Sequence, residues 1–155
     1  MLRCCCLYFH HGPGSLSLSL SLLRYSDLLL HISSTHPTAP NMSDIKYENG
    51  EPTYSGATVV KCFKDNGNGL LFRIVNEEEK KWAFYNDTTN YNMVVKVEFG
   101  KDSKIEALGN TRLERDESSG EFKCELHIAP TTTEMFISGE PNGFKIAFEA
   151  NPIPK

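Results

Sequence analysis

From Ile45 onward, apolar residues recur at alternate positions in short runs, and clusters of Gly, Asn, Asp and Pro separate the runs. A period of two puts successive side chains on opposite faces of a strand, so the pattern predicts an antiparallel all-β domain. The runs are Ala57–Phe63, Leu70–Asn76, Lys81–Asn86, Tyr91–Phe99, Thr111–Arg115, Glu121–Ile128, Thr132–Ser138 and Gly143–Ala150. Between them, Asn66-Gly67, Asn68-Gly69, Ser119-Gly120 and Asn142-Gly143 supply the positive φ that tight turns require. Glu77–Lys80 reads as a solvated loop, and Pro130 stops any strand that would cross it. No segment keeps a helical period over three turns.

The alternation also assigns faces. Met93, Val95, Val97 and Phe99 share one side of their run, as do Phe122, Cys124, Leu126 and Ile128, and Phe144, Ile146 and Phe148. Val60 and Cys62 stand across from Lys61, and Phe72 and Ile74 across from Arg73, with Trp82 and Phe84 expected in the core. Strands with one apolar face need a second layer, so a single antiparallel sandwich or flattened barrel of about eight strands is expected. The opposite faces carry Lys61, Arg73, Lys96, Glu98, Lys123, Glu125 and Lys145, a charged surface suited to protein contacts. Tyr85 and Tyr91 are read either as part of that partner surface, with Lys96 and Lys123, or as a cross-strand aromatic pair.

The chain is uneven. Residues 1–41 hold only Arg3, Arg24 and Asp27 as charges, whereas residues 42–155 carry a net charge of −5. The Ser-Leu repeat at 15–23 has a strand period but no companion strand. It lacks the continuous apolar core of a secretory signal and the arginines of a mitochondrial presequence. An alternating CT tract translates as Ser-Leu-Ser-Leu. The expectation is therefore a disordered segment, 1–41, that is translated upstream leader, with Met42 as the start of the β domain at 42–155.

Chemistry adds mostly exclusions. With 20 acids against 16 bases in 155 residues, the net charge of −4 argues against nucleic-acid binding. No stretch approaches the length of a transmembrane helix. Cys62 and Cys124 fall on inward positions and are expected to be buried thiols, not a disulfide. His127, the one histidine after Met42, points away from Cys124 on the same strand, so no nucleophile–base pair forms. No metal-ligand spacing occurs, and Asp65–Gly69 lacks the acid ladder of a calcium loop. Asn86-Asp87-Thr88 fits the glycosylation pattern but reads more simply as a turn. The domain is thus expected to be no enzyme and to need no cofactor.

Lys81–Thr88, Tyr91, Met93 and Phe99-Gly100 form a recognisable set, together with Ala107–Thr111, Pro130, Thr133-Glu134, Phe136 and Asn142–Phe144. With Gly50, Tyr54, Gly56 and Gly69–Arg73 they resemble the small domain of kinetoplastid calpain-like proteins, which stands alone in the small calpain-related and small myristoylated proteins of trypanosomes and Leishmania. The resemblance spans about Ile45 to Pro152. It implies an all-β module without peptidase activity, located in the cytoplasm at the cytoskeleton or the flagellar or cell cortex. The implied partner is a protein, cytoskeletal or another calpain-like chain. The rival readings are a regulator related to calcium-dependent cysteine peptidases and a membrane adaptor. Myristoylated members begin Met-Gly, but Met1 is followed here by Leu2 and Met42 by Ser43, so no direct lipid anchor is expected.

Overall fold

The computed structural model describes residues 2–9, 45–63 and 70–154. It is an antiparallel β-sandwich of two five-stranded sheets. In chain order the strands are β1 (Leu2–Phe9), β2 (Thr58–Lys61), β3 (Leu71–Asn76), β4 (Lys81–Asn86), β5 (Tyr91–Phe99), β6 (Lys104–Ala107), β7 (Arg112–Arg115), β8 (Phe122–Ile128), β9 (Thr133–Glu140) and β10 (Phe144–Pro152). One sheet has the order β1-β10-β5-β8-β7 and the other β2-β3-β4-β9-β6. The eight expected runs all became strands, two of them, β4 and β5, with the bounds read from the pattern.

Two strands went unread. Lys104–Ala107 offers only Ile105 to the core, too little alternation to register as a strand. It pairs with the far end of β9, where Gly139 has a φ of 106° and a Cβ would lie 2.1 Å from the Lys104 carbonyl oxygen, so only glycine admits the approach. The second is Leu2–Phe9, whose backbone pairs antiparallel with β10 in the segment expected to be disordered leader. The Ser-Leu repeat and the Asp65–Gly69 turns lie outside the described residues.

The inter-sheet core contains Leu71, Trp82, Phe84, Met93, Val95, Val97, Phe99, Cys124, Leu126, Ile128, Phe136, Ile146 and Phe148. A bulge where β4 meets β9 sets Trp82 opposite Ile137 but Ala83 opposite Met135. The extra residue lets Phe136 and Ile137, neighbours in sequence, both enter this core. Trp82, Phe84, Phe99, Phe136, Phe144 and Phe148 join in edge-on and tilted ring contacts at 5.0–6.5 Å.

The alternation on β3 was right, but its orientation was not. Arg73, expected on the outer polar face, faces the sandwich interior, its guanidinium 4.6 Å from the Trp82 ring centre and 5.0 Å from that of Phe144. Phe72 and Ile74 face outward with Val59, Ala83 and Tyr85, forming a second apolar cluster. Residues 45–56 cover that cluster as a strap, laying Ile45, Tyr47 and Tyr54 across it. The pattern on a strand with apolar residues on both faces does not say which face is inside.

Candidate functional site

The Asn86-Asp87-Thr88 triplet ends β4, and all three residues are buried, at 0%, 1% and 4% exposure. Asn86 Nδ2 donates to the carbonyls of Tyr91 at 2.8 Å and Ile128 at 3.1 Å, and its Oδ1 accepts the Thr88 hydroxyl at 2.7 Å. An amide held this way has no freedom to accept a glycan. The Asp87 carboxylate accepts the backbone N–H groups of Glu48 and Asn49, both at 2.7 Å, and its carbonyl accepts Asn49 Nδ2 at 2.8 Å. The motif is a latch for the strap.

Tyr85 belongs to this latch and not to a partner surface. It is buried to 1% exposure, it lies 5.5 Å from the Tyr47 ring, and its hydroxyl donates to the Asn49 carbonyl at 3.3 Å. Burial, then the charge of Asp87, raises its phenol above the ordinary range. Tyr91 is half-buried against the inter-sheet core at the other end of the Thr88 network. The two tyrosines therefore do not pair with each other across strands: Tyr85 sits opposite Phe72 and Thr133, and Tyr91 opposite Pro152.

Lys96 and Lys123 do share a surface. Both project from the outer face of the sheet formed by β10, β5, β8 and β7, where they line an open groove of about 480 Å³ with Glu98, Arg112, Glu125 and Lys145. Register makes the face a checkerboard. Glu114, Lys123, Glu98 and Lys145 stand directly opposite one another along one row, and Arg112, Glu125 and Lys96 along the next. Ion pairs and a hydrogen bond fix many of these groups: Lys96 to Glu149 at 3.1 Å and Lys123 to Asp116 at 2.9 Å as ion pairs, and His127 Nε2 hydrogen-bonded to Glu125 at 2.9 Å. Ser118, Lys123 and the N–H groups of Ser119 and Ser118 hold Asp116 well below the usual carboxylate range. The hydrogen bond from His127 lowers Glu125 in the same way. Ala147, opposite Lys96, also lines the groove.

The Cys124 side chain turns inward from this face into the inter-sheet core. Cys124 is a free thiol buried in the core, pushed up to about 12 by desolvation. At neutral pH it keeps its proton, and His127 lies on the opposite side of β8, paired to Glu125. Among the described residues no three His, Cys, Asp or Glu side chains are grouped to hold a metal.

The strand order, the latched strap and the checkerboard face define a small, self-contained antiparallel β-sandwich domain. The family model for a domain of unknown function (DUF1935) matches residues 47–153, and the chain belongs to that family. Two solved structures are similar. The NMR structure of SMP-1 (Small Myristoylated Protein) from Leishmania major is 48% identical with a TM-score of 0.68, the match covering 74% of this chain and 86% of that one. A Leishmania major hypothetical protein is 33% identical with a TM-score of 0.64, covering 72% of this chain and 96% of that one. No curated protein matches the chain. The resemblance to the small myristoylated proteins read from the sequence is thereby borne out.

Proposed function

We propose that this domain is a non-catalytic calpain-related module that binds a protein partner through the outer face of β10-β5-β8-β7, at the cytoskeleton or the flagellar or cell cortex. The observation that carries the reading is the contrast between the two outer faces. The strap covers the β3-β4 face with the domain's own residues, whereas the other sheet leaves a charged groove of about 480 Å³ open to solvent. The alternation of sign favours a protein over other polyanionic or membrane partners. Lys96, Arg112, Lys123 and Lys145 are each beside a carboxylate and so raise no uniform positive field for phosphates or anionic lipids. A partner strand or loop with its own alternating charges would match such a face, gaining specificity and orientation more than raw affinity.

The test is charge reversal at Lys96 and Lys123 together, with fractionation of cells into detergent-soluble and cytoskeletal pools. We expect K96E/K123E to leave the far-ultraviolet spectrum unchanged and to move the protein from the cytoskeletal to the soluble pool. Unchanged fractionation of a folded variant refutes the assignment of the face. Co-sedimentation of the whole chain with phosphatidylserine vesicles, unaffected by the same double reversal, would favour the membrane-adaptor reading instead.

A further inference from the structure

Strand β10 has one edge on β5 and the other on β1. Gly100 donates its N–H to the Gly143 carbonyl, and Ile153 donates to the Asn90 carbonyl, so the odd-numbered residues of β10 turn their backbone groups toward β5. Phe144, Ile146, Phe148 and Ala150 therefore turn theirs toward the outer edge. Leu2–Phe9 takes up this edge, with Leu2 opposite Ala150, Cys4 opposite Phe148, Leu7 opposite Ile146 and Phe9 opposite Phe144. The ladder is imperfect: its register shifts between Cys4 and Leu7, so two β1 residues stand against Ala147 alone. The occupant also comes from outside the family domain, which spans residues 47–153.

The edge itself is self-complementary. Laid antiparallel on a second copy about Ala147, the segment Lys145-Ile146-Ala147-Phe148-Glu149 sets each Lys145 opposite the other copy's Glu149. Ile146 meets Phe148 on the core side, Phe144 meets Ala150, and the outward backbone groups of both strands fall in phase. The Lys145 and Glu149 pairs then occupy the closely spaced, non-hydrogen-bonded positions, where cross-strand charges interact most strongly. Pro152, at the next outward-facing position, has no N–H to donate and bounds the pairing. We propose that the outer edge of β10 is a strand-accepting surface whose fitting partner is β10 of a second copy, related by a two-fold axis at Ala147, and that Leu2–Phe9 occupies this edge in cis and holds the chain monomeric. The result is one continuous sheet across two sandwiches, the isologous arrangement expected of a two-fold dimer. The buried area of an edge pairing is small, so the dimer is a weak one that forms at high local concentration.

Leu7→Pro in the full chain removes a donor from β1 and opens the edge. By sedimentation equilibrium we expect the wild-type chain at 17.4 kDa and L7P at twice that mass at high concentration. Adding K145E or E149K to L7P replaces both attractive pairs with repulsive ones and is expected to weaken the dimer about tenfold or more. In an equimolar mixture of those two variants an acid again faces a base at both pairs, with the two signs exchanged between the strands at one of them. The mixture is therefore expected to dimerise when neither variant does alone. Persistent monomer in L7P overturns the proposal, as does a dimer indifferent to the charge variants or a wild-type chain that dimerises as readily as L7P. Cys4→Pro serves as a second opening variant. Amide exchange at Ala147, whose N–H faces β5, stays slow in every folded variant, whereas exchange at the edge-facing Ile146 and Phe148 is slow in the dimer and fast in an opened monomer.

Discussion

Replacing Asp87 with Ala tests whether the strap is held by one buried carboxylate. Asp87 is 1% exposed, and two charge-assisted hydrogen bonds of 2.7 Å reach it from Glu48 and Asn49. Such bonds contribute about 1.5–3 kcal/mol each. The strap also contributes the ring contacts of Tyr47 with Phe72 at 4.9 Å and with Tyr85 at 5.5 Å, each worth about 0.5–1.5 kcal/mol. In the variant the freed N–H groups escape to water if the strap lifts, so the loss is capped by the strap's own docking energy and does not reach the full sum. We expect D87A to be destabilised by about 2–4 kcal/mol, lowering the melting temperature of a domain this size by roughly 10 °C. Urea unfolding followed by Trp82 fluorescence measures the first quantity, since Trp82 lies in the inter-sheet core and reports the global transition. Trypsin cleavage after Lys46, mapped by mass spectrometry, measures strap opening and should accelerate well before the core unfolds. A variant within about 0.5 kcal/mol of wild type, with Lys46 cut no faster, would refute the latch.

Four further outcomes follow from other parts of the fold. Arg73→Met exchanges a desolvated guanidinium, whose Nε has no hydrogen-bond partner among the described residues, for an apolar chain between Trp82 and Phe144; we expect stability unchanged or raised by about 1 kcal/mol in urea unfolding. Gly139→Ala drives a Cβ into the Lys104 carbonyl at a φ of 106° and should cost about 2 kcal/mol or more, with amide exchange rising first along β6. Cys124, with its folded thiol at about 12 against an ordinary value near 8.5, should resist iodoacetamide at pH 8 until the domain unfolds; its contribution to stability is full below about pH 8.5 and declines as pH rises toward 12. Asp116, depressed in the folded state, stabilises above the unfolded carboxyl value near 3.9 and loses that contribution as pH falls toward its folded value, so the stability gap between wild type and D116N should close in acid and persist at pH 7.

Much of the architecture was legible because alternation and turn chemistry agree along most of the chain. Lys81–Asn86 and Tyr91–Phe99 are bounded by polar turns on both sides, and their limits were read without error. Orientation failed where both faces of a strand are apolar. On β3, Leu71 and Val75 pack against the inter-sheet core while Phe72 and Ile74 pack under the strap, and sequence period alone is blind to that choice. Arg73 misled for the same reason: a charged residue marks the wet face only when no aromatic pair is there to receive it. Tyr85 misled because its partner, the strap, has no strand period and left no pattern to read. The latch carried one usable signal, an Asn-Asp-Thr triplet straight after an apolar strand, where three short polar side chains are set to hydrogen-bond nearby backbone. Lys96 and Lys123 were found together because strand registry converts alternation directly into a shared face.

The two outer faces of the sandwich show how one pattern can yield opposite surfaces. On β3 and β4 the outward residues are Phe72, Ile74, Ala83 and Tyr85, which water cannot cover without cost, so the chain must return over them; the strap does so and is pinned at Asp87. On β5, β8 and β10 the charged outward residues are Lys96, Glu98, Lys123, Glu125, Lys145 and Glu149, which hydrate well and pair with one another, so their burial is not what drives any of the described residues to pack on this face. A face stable both in water and against matching charges is the one able to gain and lose a partner reversibly, because exposure exacts little penalty. The same residues limit the affinity, since each new contact must replace an ion pair already present. Binding of the proposed partner at this face should therefore weaken with ionic strength: raising salt from about 0.05 to about 0.5 M, which brings the screening length well under 10 Å, should release it while the strap, held by buried bonds, stays in place. Partner release accompanied by faster cutting after Lys46 would mean that the two faces are coupled through the sandwich, and the division of roles argued from their residues would be wrong.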